Sequence, residues 1–489
     1  MKIGFNSDLY MEKQSQKIIE RIKKFDDKLY LEFGGKLFDD FHAARVLPGF
    51  DPNAKIKLLQ KLKDQCEIIF CISAPDIERN KMRADFGITY GAEVIRLIGI
   101  MRGLGISVNG IVITKYEEQP TANSFKQKLE QRGEKVYLHR YTKGYPNDVD
   151  TIVSDEGYGQ NPYIETTKPL VVVTAPGPSS GKLGTCLGQL YHEYKRGIKA
   201  GYAKFETFPV WNLPLKHPVN IAYEAATADI KDVNMIDSYH LEAYNVTTVN
   251  YNRDIELFPV IRAILSRISP ELNYKSPTDM GVNMVGYCIE DDEVCRDAAK
   301  QEIIRRYFTT KCAYKNGLMD LGAVKREEFL MGDLQLMPEH RKAVLPAREK
   351  AQESGCSAVA IELSDGAIVT GRKSELLSAP AGAIINALKY IADIDDEITL
   401  IAPSVIEPIM RVKKDILREK HLRLDLQEVI IALTVCASFN PVAQLALDEL
   451  HKLRCTEMHS TVMLNSGDEN ILRKLGVNVT SDDKFDDKI

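Results

Sequence analysis

The residues best suited to chemistry lie in one short stretch, Thr174-Ala175-Pro176-Gly177-Pro178-Ser179-Ser180-Gly181-Lys182-Leu183-Gly184-Thr185. An apolar run, 170–173, precedes it, and a helix-spaced segment, 187–193, follows. A strand, a glycine-rich turn carrying Gly-Lys and a helix start make up the layout of a phosphate-binding loop. There the free N–H groups of the helix start and a lysine cradle an anion. The full pattern, G-x-x-x-x-G-K-[ST], is not met. Anchored on Gly181-Lys182, its first glycine falls on Pro176, and its magnesium-holding hydroxyl falls on Leu183. Thr185 comes two residues later, roughly 200° around a helix, and does not simply replace residue 183. Pro176 and Pro178 bring no N–H to the cradle. The residues expected to bind here are Gly177, Ser179, Ser180, Gly181, Lys182 and Thr185. Lys182 would neutralise a phosphate that the N–H groups of Ser180 and Gly181 hold. ATP or another phosphate-containing ligand fits that cradle, whereas a magnesium site lacks its usual hydroxyl.

The same turn fits a second template. Gly177-Pro178-Ser179-Ser180-Gly181 is a G-x-S-x-G nucleophile elbow. Ser179 would then need a histidine base, and His217, His240, His340, His421, His451 and His459 all lie downstream. A third possibility is a Pro/Gly-rich corner that packs helix on strand.

Other residues repeat the anion-binding logic. Glu32-Phe33-Gly34-Gly35-Lys36 is a strand end, two glycines and a lysine expected to open a helix. In a doubly wound sheet, ligands sit beyond the carboxyl ends of the strands. Glu32, Gly34, Gly35, Lys36, Ser73 and Asp76 are therefore expected on the same rim as Lys182, with Lys182, Ser179 and Asp76 as catalytic candidates. The bland alternatives are a plain turn at Gly34-Gly35 and a helix cap at Asp76. His42 and Arg45 lie one helical turn apart and either face an anion or sit on an exposed helix face. His451, Cys455 and His459 have zinc-ligand chemistry. That spacing fails if the helix ends near Leu453 and a strand follows, so no metal site is expected. Ser378-Ala379-Pro380-Ala381-Gly382-Ala383 either binds an anion at a helix start or makes a close helix contact. Trp211 stands in a proline-bracketed loop of the kind that covers a pocket or an interface.

The elements that must position these residues alternate. Apolar runs at 28–33, 67–73, 110–114, 135–139 and 171–174 read as strands, and 55–63, 92–103 and 121–132 as helices, the last capped by Thr121. Continuous apolar strands between helices argue for a mostly parallel sheet covered on both faces. From 226 to 350 long helix-spaced segments dominate, at 254–267, 291–311 and 340–353. Alternation then resumes, with a hairpin around Ser364-Asp365-Gly366, strands at 398–401 and 457–464, and helices at 381–392, 403–418, 426–437 and 441–453. The expected division is an N-terminal α/β domain (1–225), a mainly helical middle region (226–350) and a C-terminal α/β domain (351–489).

With 44% hydrophobic and 27% charged residues, the composition is that of a soluble globular protein. The net charge of −5, mixed along the chain, suggests no nucleic-acid surface. No apolar stretch approaches the ~18 residues of a membrane span. The opening MKIGFNSDLYMEKQ has no basic flank before an apolar core, and the cysteines are scattered without a CxxC pair. Reduced thiols and a cytoplasmic location are expected.

Several further stretches carry a family resemblance: Leu31-Glu32-Phe33-Gly34-Gly35-Lys36, His42-Ala43-Ala44-Arg45-Val46-Leu47-Pro48-Gly49, Ile72-Ser73-Ala74-Pro75-Asp76-Ile77, Ser276-Pro277-Thr278-Asp279-Met280-Gly281-Val282-Asn283 and Thr370-Gly371-Arg372-Lys373-Ser374. With the Gly-Lys loop, they resemble an uncharacterised bacterial protein family, number 0371 in the UPF series, over essentially the whole chain. The resemblance implies a P-loop-like, nucleotide-hydrolase-like N-terminal region, a small middle piece and a C-terminal α/β domain similar in topology to the cytidine-deaminase class. It also implies a homo-oligomer. Members have been labelled ATP-dependent peptidases, a label these residues do not support. The combined expectation is a protein that binds a small anionic ligand, a nucleotide or phosphorylated metabolite, and acts in phosphoryl transfer or nucleotide hydrolysis. The alternatives are a serine hydrolase built on Ser179 and a non-catalytic structural or regulatory oligomer.

Overall fold

Runs rich in Val, Ile, Leu and Phe with few charged residues are best satisfied inside a sheet covered on both faces. The computed structural model describes residues 2–25, 28–83, 87–419 and 421–486. In it such runs form a seven-stranded sheet: β1 (Leu29–Phe33), β2 (Cys66–Ser73), β3 (Ser107–Thr114), β4 (Val136–Leu138), β5 (Leu170–Thr174), β6 (Gly201–Phe205) and β7 (Gly281–Val282). Every pairing is parallel, in the order β7-β6-β1-β5-β2-β3-β4. Strands β1, β2 and β5 are buried at every position.

The strand order sets where a ligand can enter. From β2 the chain proceeds outward to β3, whereas from β5 it proceeds in the opposite direction to β6. Strands β2 and β5 are neighbours, so their outgoing connections part and leave a crevice at their carboxyl ends. That is the topological switch point at which open α/β sheets bind ligands.

A second sheet comprises β8 (Ala358–Glu362), β9 (Ile368–Arg372), β10 (Glu457–Ser460) and β11 (Asn478–Ser481), ordered β9-β8-β10-β11. The β8–β9 hairpin turns at Gly366, whose φ of +89° suits glycine. Strand β10 runs antiparallel to β8 and parallel to β11. Val359, Ile361, Ile384, Leu388, Leu433 and Met458 lie in the core on this sheet. The chain forms two compact units. One is Lys2–Glu224 with Asp232–Ala299, and the other is Ala225–Lys231 with Lys300–Ile489. No helix among the described residues is long and apolar enough to cross a membrane.

Several expected elements differ. Residues 398–401 form no strand, although Leu400 and Ile401 are buried in the core, because no neighbouring strand offers them hydrogen bonds. The segment 457–464 pairs only as far as Ser460. The helix near 121 starts at Pro120 with Gln119 as its cap, since proline is preorganised for the first helical position. Lys36 opens no helix; the next one begins at Phe41, capped by Asp40. The segment 441–453 splits into an α-helix, Pro441–Asp448, and a 3₁₀ turn, Glu449–Leu453.

Candidate functional site

Strand β5 ends at Thr174, and the helix Lys182–Lys195 begins eight residues later, after the Gly/Pro/Ser turn. Gly181 adopts φ +83° at the helix N-cap, and a Cβ there would lie 2.8 Å from the Thr114 side chain. Glycine is thus required twice over, for the left-handed backbone and for the close approach. At Gly177 a Cβ would meet the Tyr90 hydroxyl at 2.3 Å. The turn is therefore held between Thr114, at the end of β3, and Tyr90.

Ser180 is fully buried and works as an internal brace. Its Oγ donates to the Gly177 carbonyl at 2.8 Å, and its own carbonyl accepts from Thr114 Oγ1 at 2.8 Å. The backbone N–H groups of residues 179–184 donate to no acceptor among the described residues, and Thr185 is the first to find one, Gly181 O at 3.0 Å. Such a run of free N–H groups at the start of a 14-residue helix concentrates positive potential. Half-buried Lys182 adds a full charge and makes no hydrogen bond or ion pair among the described residues. Thr185 takes a different place. It is buried, and its Oγ1 accepts from Cys71 Sγ at 3.4 Å, so it faces the sheet under the helix.

Across the crevice, Ser73 ends β2 and caps the short helix Ala74–Glu78. Buried Asp76 accepts from Ser73 Oγ at 2.7 Å and lies 3.4 Å from Lys81 Nζ and 3.7 Å from Arg79. The Lys81 ammonium sits 5.1 Å from the centre of the Tyr90 ring that packs on Gly177. Tyr90 and Lys81 thus link the two strand ends that diverge at the switch point.

Glu32 is the penultimate residue of β1, beside β5, paired in register with Val173 and Lys204. Its Oε2 accepts from the Tyr202 hydroxyl at 2.8 Å. Burial pushes the Cys71 thiol up to about 12, with Lys182 and Glu32 pulling in opposite directions. Gly34, Gly35 and Lys36 lie apart, on the β6 side of β1. Gly34 N–H donates to Phe205 O at 3.3 Å, and Lys55 approaches the Gly34 carbonyl at 3.5 Å while pairing with Asp40 at 3.0 Å. Lys36 is exposed. His42 packs edge-on to the Phe208 ring, with centroids 5.4 Å apart.

Ser179 is exposed, with φ +58°, and its hydroxyl makes no hydrogen bond among the described residues. Five of the six downstream histidines bond elsewhere: His217 to Asp292, His240 to Ser276, His340 to Met337 N, His451 to Asp448 O and His459 to Thr480. No group of three or more His, Cys, Asp or Glu among the described residues is placed to hold a metal. His451 and Cys455 are exposed, and His459 is fully buried on β10. The small residues at 378–383 form a close contact: a Cβ on Gly371 would lie 2.1 Å from Ala383 N.

A further polar cluster was not foreseen. At the end of β6, Lys204 pairs with Glu206 at 2.9 Å and with Asp254, while Trp211 Nε1 and the Tyr251 hydroxyl each donate to Glu206 at 3.3 Å. Burial, with Asp254 adding, pushes the Glu206 carboxyl up to about 7 against the pull of Lys204. The proline-bracketed Trp211 was the only sequence signal for it. Thr114 and Tyr90 gave none, because their partners lie far away in the chain.

Models of a domain of unknown function, DUF1846, match the chain in two parts, the N-terminal one over residues 3–335 and the C-terminal one over 339–489. Curated proteins named UPF0371 protein from Clostridium botulinum strains Langeland and Okra are 59% identical over 494 residues, covering 99% of this chain and 98% of each relative. The UPF0371 protein of strain Alaska E43 is 58% identical over the same span.

Proposed function

The chain belongs to the DUF1846 family, and we propose that its 179–184 turn binds the phosphate of a nucleotide or phosphorylated metabolite. The observation that carries this reading is the run of uncommitted N–H groups from 179 to 184 at the N-terminus of the helix Lys182–Lys195, at the crevice where the connections from β2 and β5 part. An anion there would satisfy donors that have no other partner and would neutralise Lys182. In this sense the N-terminal unit is P-loop-like. Leu183 offers no hydroxyl to magnesium, so the site binds through donors and charge and not through a bridging metal. Where chemistry follows, phosphoryl transfer or nucleotide hydrolysis is the class, with Lys182 stabilising the transferred charge and Asp76, on the helix after β2, as the candidate acid–base group. The deaminase-like reading of the C-terminal sheet, the three-part division, the homo-oligomer and the cytoplasmic location rest on the resemblance and on composition, and we carry them as parts of the same proposal.

The experiment is a thermal-shift titration of the intact protein with ATP, AMP and inorganic phosphate, with and without magnesium, for wild type and Lys182→Ala. Stabilisation of wild type that Lys182→Ala loses is the expected result. Absence of stabilisation by every phosphate ligand, or equal stabilisation of the variant, overturns the reading.

A further inference from the structure

The C-terminal unit contains a cavity of about 400 Å³ lined by Tyr307, Phe308, Lys311, Pro338, Arg348 and the 482–484 segment. That volume falls within the roughly 300–1,000 Å³ of small-molecule sites. One wall is apolar, with Tyr307 as its accessible ring and the nearly buried Phe308 inclined to it by 60°. Tyr307 and Phe308 lie next to each other on the helix Asp292–Lys315, their ring centroids 5.6 Å apart, and Pro338 adds a third face.

The charged lining is uneven in what it has left to offer. Asp482 is saturated: Arg348 donates to both of its oxygens, at 2.7 and 3.2 Å, and His459 Nε2 lies 3.5 Å away. Arg348 has its charge matched by two carboxylates, with Nη1 held by Glu339 at 2.6 Å. Asp483 is engaged by Lys311 at 3.3 Å. The cations keep spare capacity. Lys484 has no side-chain partner among the described residues, although its backbone is fixed by Met463 N–H at 2.7 Å. Lys311 lies 5.3 Å from the centre of the Tyr307 ring with a single weak carboxylate contact, and an ammonium has three donors.

We propose that this cavity is a second binding site, separate from the 179–184 turn, for a small planar ring that carries an anionic group. The ring lies against Tyr307, Phe308 and Pro338, and the carboxylate or phosphate reaches Lys311 and Lys484. A cationic ligand is disfavoured because three cations, Lys311, Arg348 and Lys484, line the cavity against two carboxylates, Asp482 and Asp483. An apolar one is disfavoured because it would strip water from two ammonium groups and return nothing. The Asp482–Arg348–Glu339 network with His459 acts as the rigid floor that fixes the segment bearing Lys484.

The test uses the full chain carrying Lys182→Ala, so that the turn at 179–184 does not contribute. Isothermal titration with benzoate, UMP, uridine and inorganic phosphate separates the two halves of the ligand. Saturable binding of benzoate or UMP is expected, with uridine and phosphate each at least about tenfold weaker. Lys311→Gln and Lys484→Gln, both at solvent-accessible positions, are expected to weaken it by about tenfold each, the usual size of one lost charge-assisted hydrogen bond. Tyr307→Leu removes the ring and is expected to weaken it similarly. Absence of binding by both ring-bearing anions, phosphate binding as well as UMP does, or binding unchanged in both lysine variants overturns the proposal. Because the Lys182→Ala background is common to every arm, failure here leaves the phosphate reading at 179–184 untouched.

Discussion

Gly181 and Gly184 sit three residues apart in the same turn and first helical turn, yet a methyl group has opposite consequences at the two. At Gly181 a Cβ must accept φ +83° and a 2.8 Å contact with Thr114. At Gly184 nothing lies within 4 Å of the added atom, and the backbone is helical. Gly181→Ala is expected to cost roughly 1–3 kcal/mol, and Gly184→Ala to change stability by less than about 1 kcal/mol, in the favourable direction. Urea midpoints of the two variants measure the difference. Equal midpoints would mean that the turn does not need its left-handed glycine. Ser179 also carries a positive φ, +58°, the one feature that speaks for a nucleophile elbow, but no described histidine bonds it. A fluorophosphonate probe is expected to leave Ser179 unlabelled; labelling that Ser179→Ala abolishes would reinstate the hydrolase. At this scale the sequence shows Gly-Lys and the missing hydroxyl at Leu183 plainly. It hides Thr114 and Tyr90, whose roles come only from where β3 and the helix Tyr90–Gly103 place them.

One level up, the turn is a joint between strands that are distant in the chain. Thr114 at the end of β3 holds it by donating to Ser180 O at 2.8 Å, in a position only 4% exposed. Thr114→Val keeps the volume and removes the donor, leaving a buried carbonyl with no partner from that side, at a cost of about 1–3 kcal/mol. It is also expected to weaken phosphate binding while every charge at the site is kept. A thermal-shift titration of Thr114→Val with ATP tests this, and an affinity equal to wild type would show that the joint does not shape the cradle. The elements that were legible share a physical trait. Strands β1, β2 and β5 are buried at every position and read as mainly apolar runs, broken only by Glu32 in β1 and Glu67 near the start of β2. Strand β6 lies next to the short edge strand β7, and Lys204 interrupts it because buried Glu206 and half-buried Asp254 neutralise that charge; no pattern along 201–205 announces them. Strand β7 is only two residues long and exists through its pairing with β6. The misread strand at 398–401 is the converse case, in which side-chain burial imitates a strand where no ladder exists.

At the scale of the whole molecule, opposing sets of buried groups set the pH range of stability. Burial lifts the Glu327 carboxyl from 4.5 to about 8 against the pull of Arg306, and burial lifts Glu206 to about 7. Between pH 4.5 and 8 the folded chain keeps protons on these groups that the unfolded chain has released. Stability therefore falls as pH rises through that window and levels off above it. Burial lowers His139 from 6.5 to about 4 and also lowers His192, His217, His240 and His459. Below pH 6.5 the unfolded chain gains protons on these rings that the folded chain refuses, so stability falls as pH drops from 6.5 toward 4. Asp482, held well below the usual carboxylate range by His459 and Arg348 in spite of its burial, extends that loss into more acid solution. The two trends oppose each other, and maximum stability is expected between about pH 5 and 7. Glu327→Gln copies the protonated form and removes its share of the alkaline slope. Its melting temperature is expected to gain on wild type steadily from pH 5 to pH 8.5, reaching several degrees at the alkaline end. Glu206→Gln should do the same over a window closing near pH 7. A wild-type profile that keeps rising to pH 8.5, or a Glu327→Gln profile parallel to wild type, would show that the Glu327 carboxylate is already ionised in the folded protein and that Arg306 outweighs its burial.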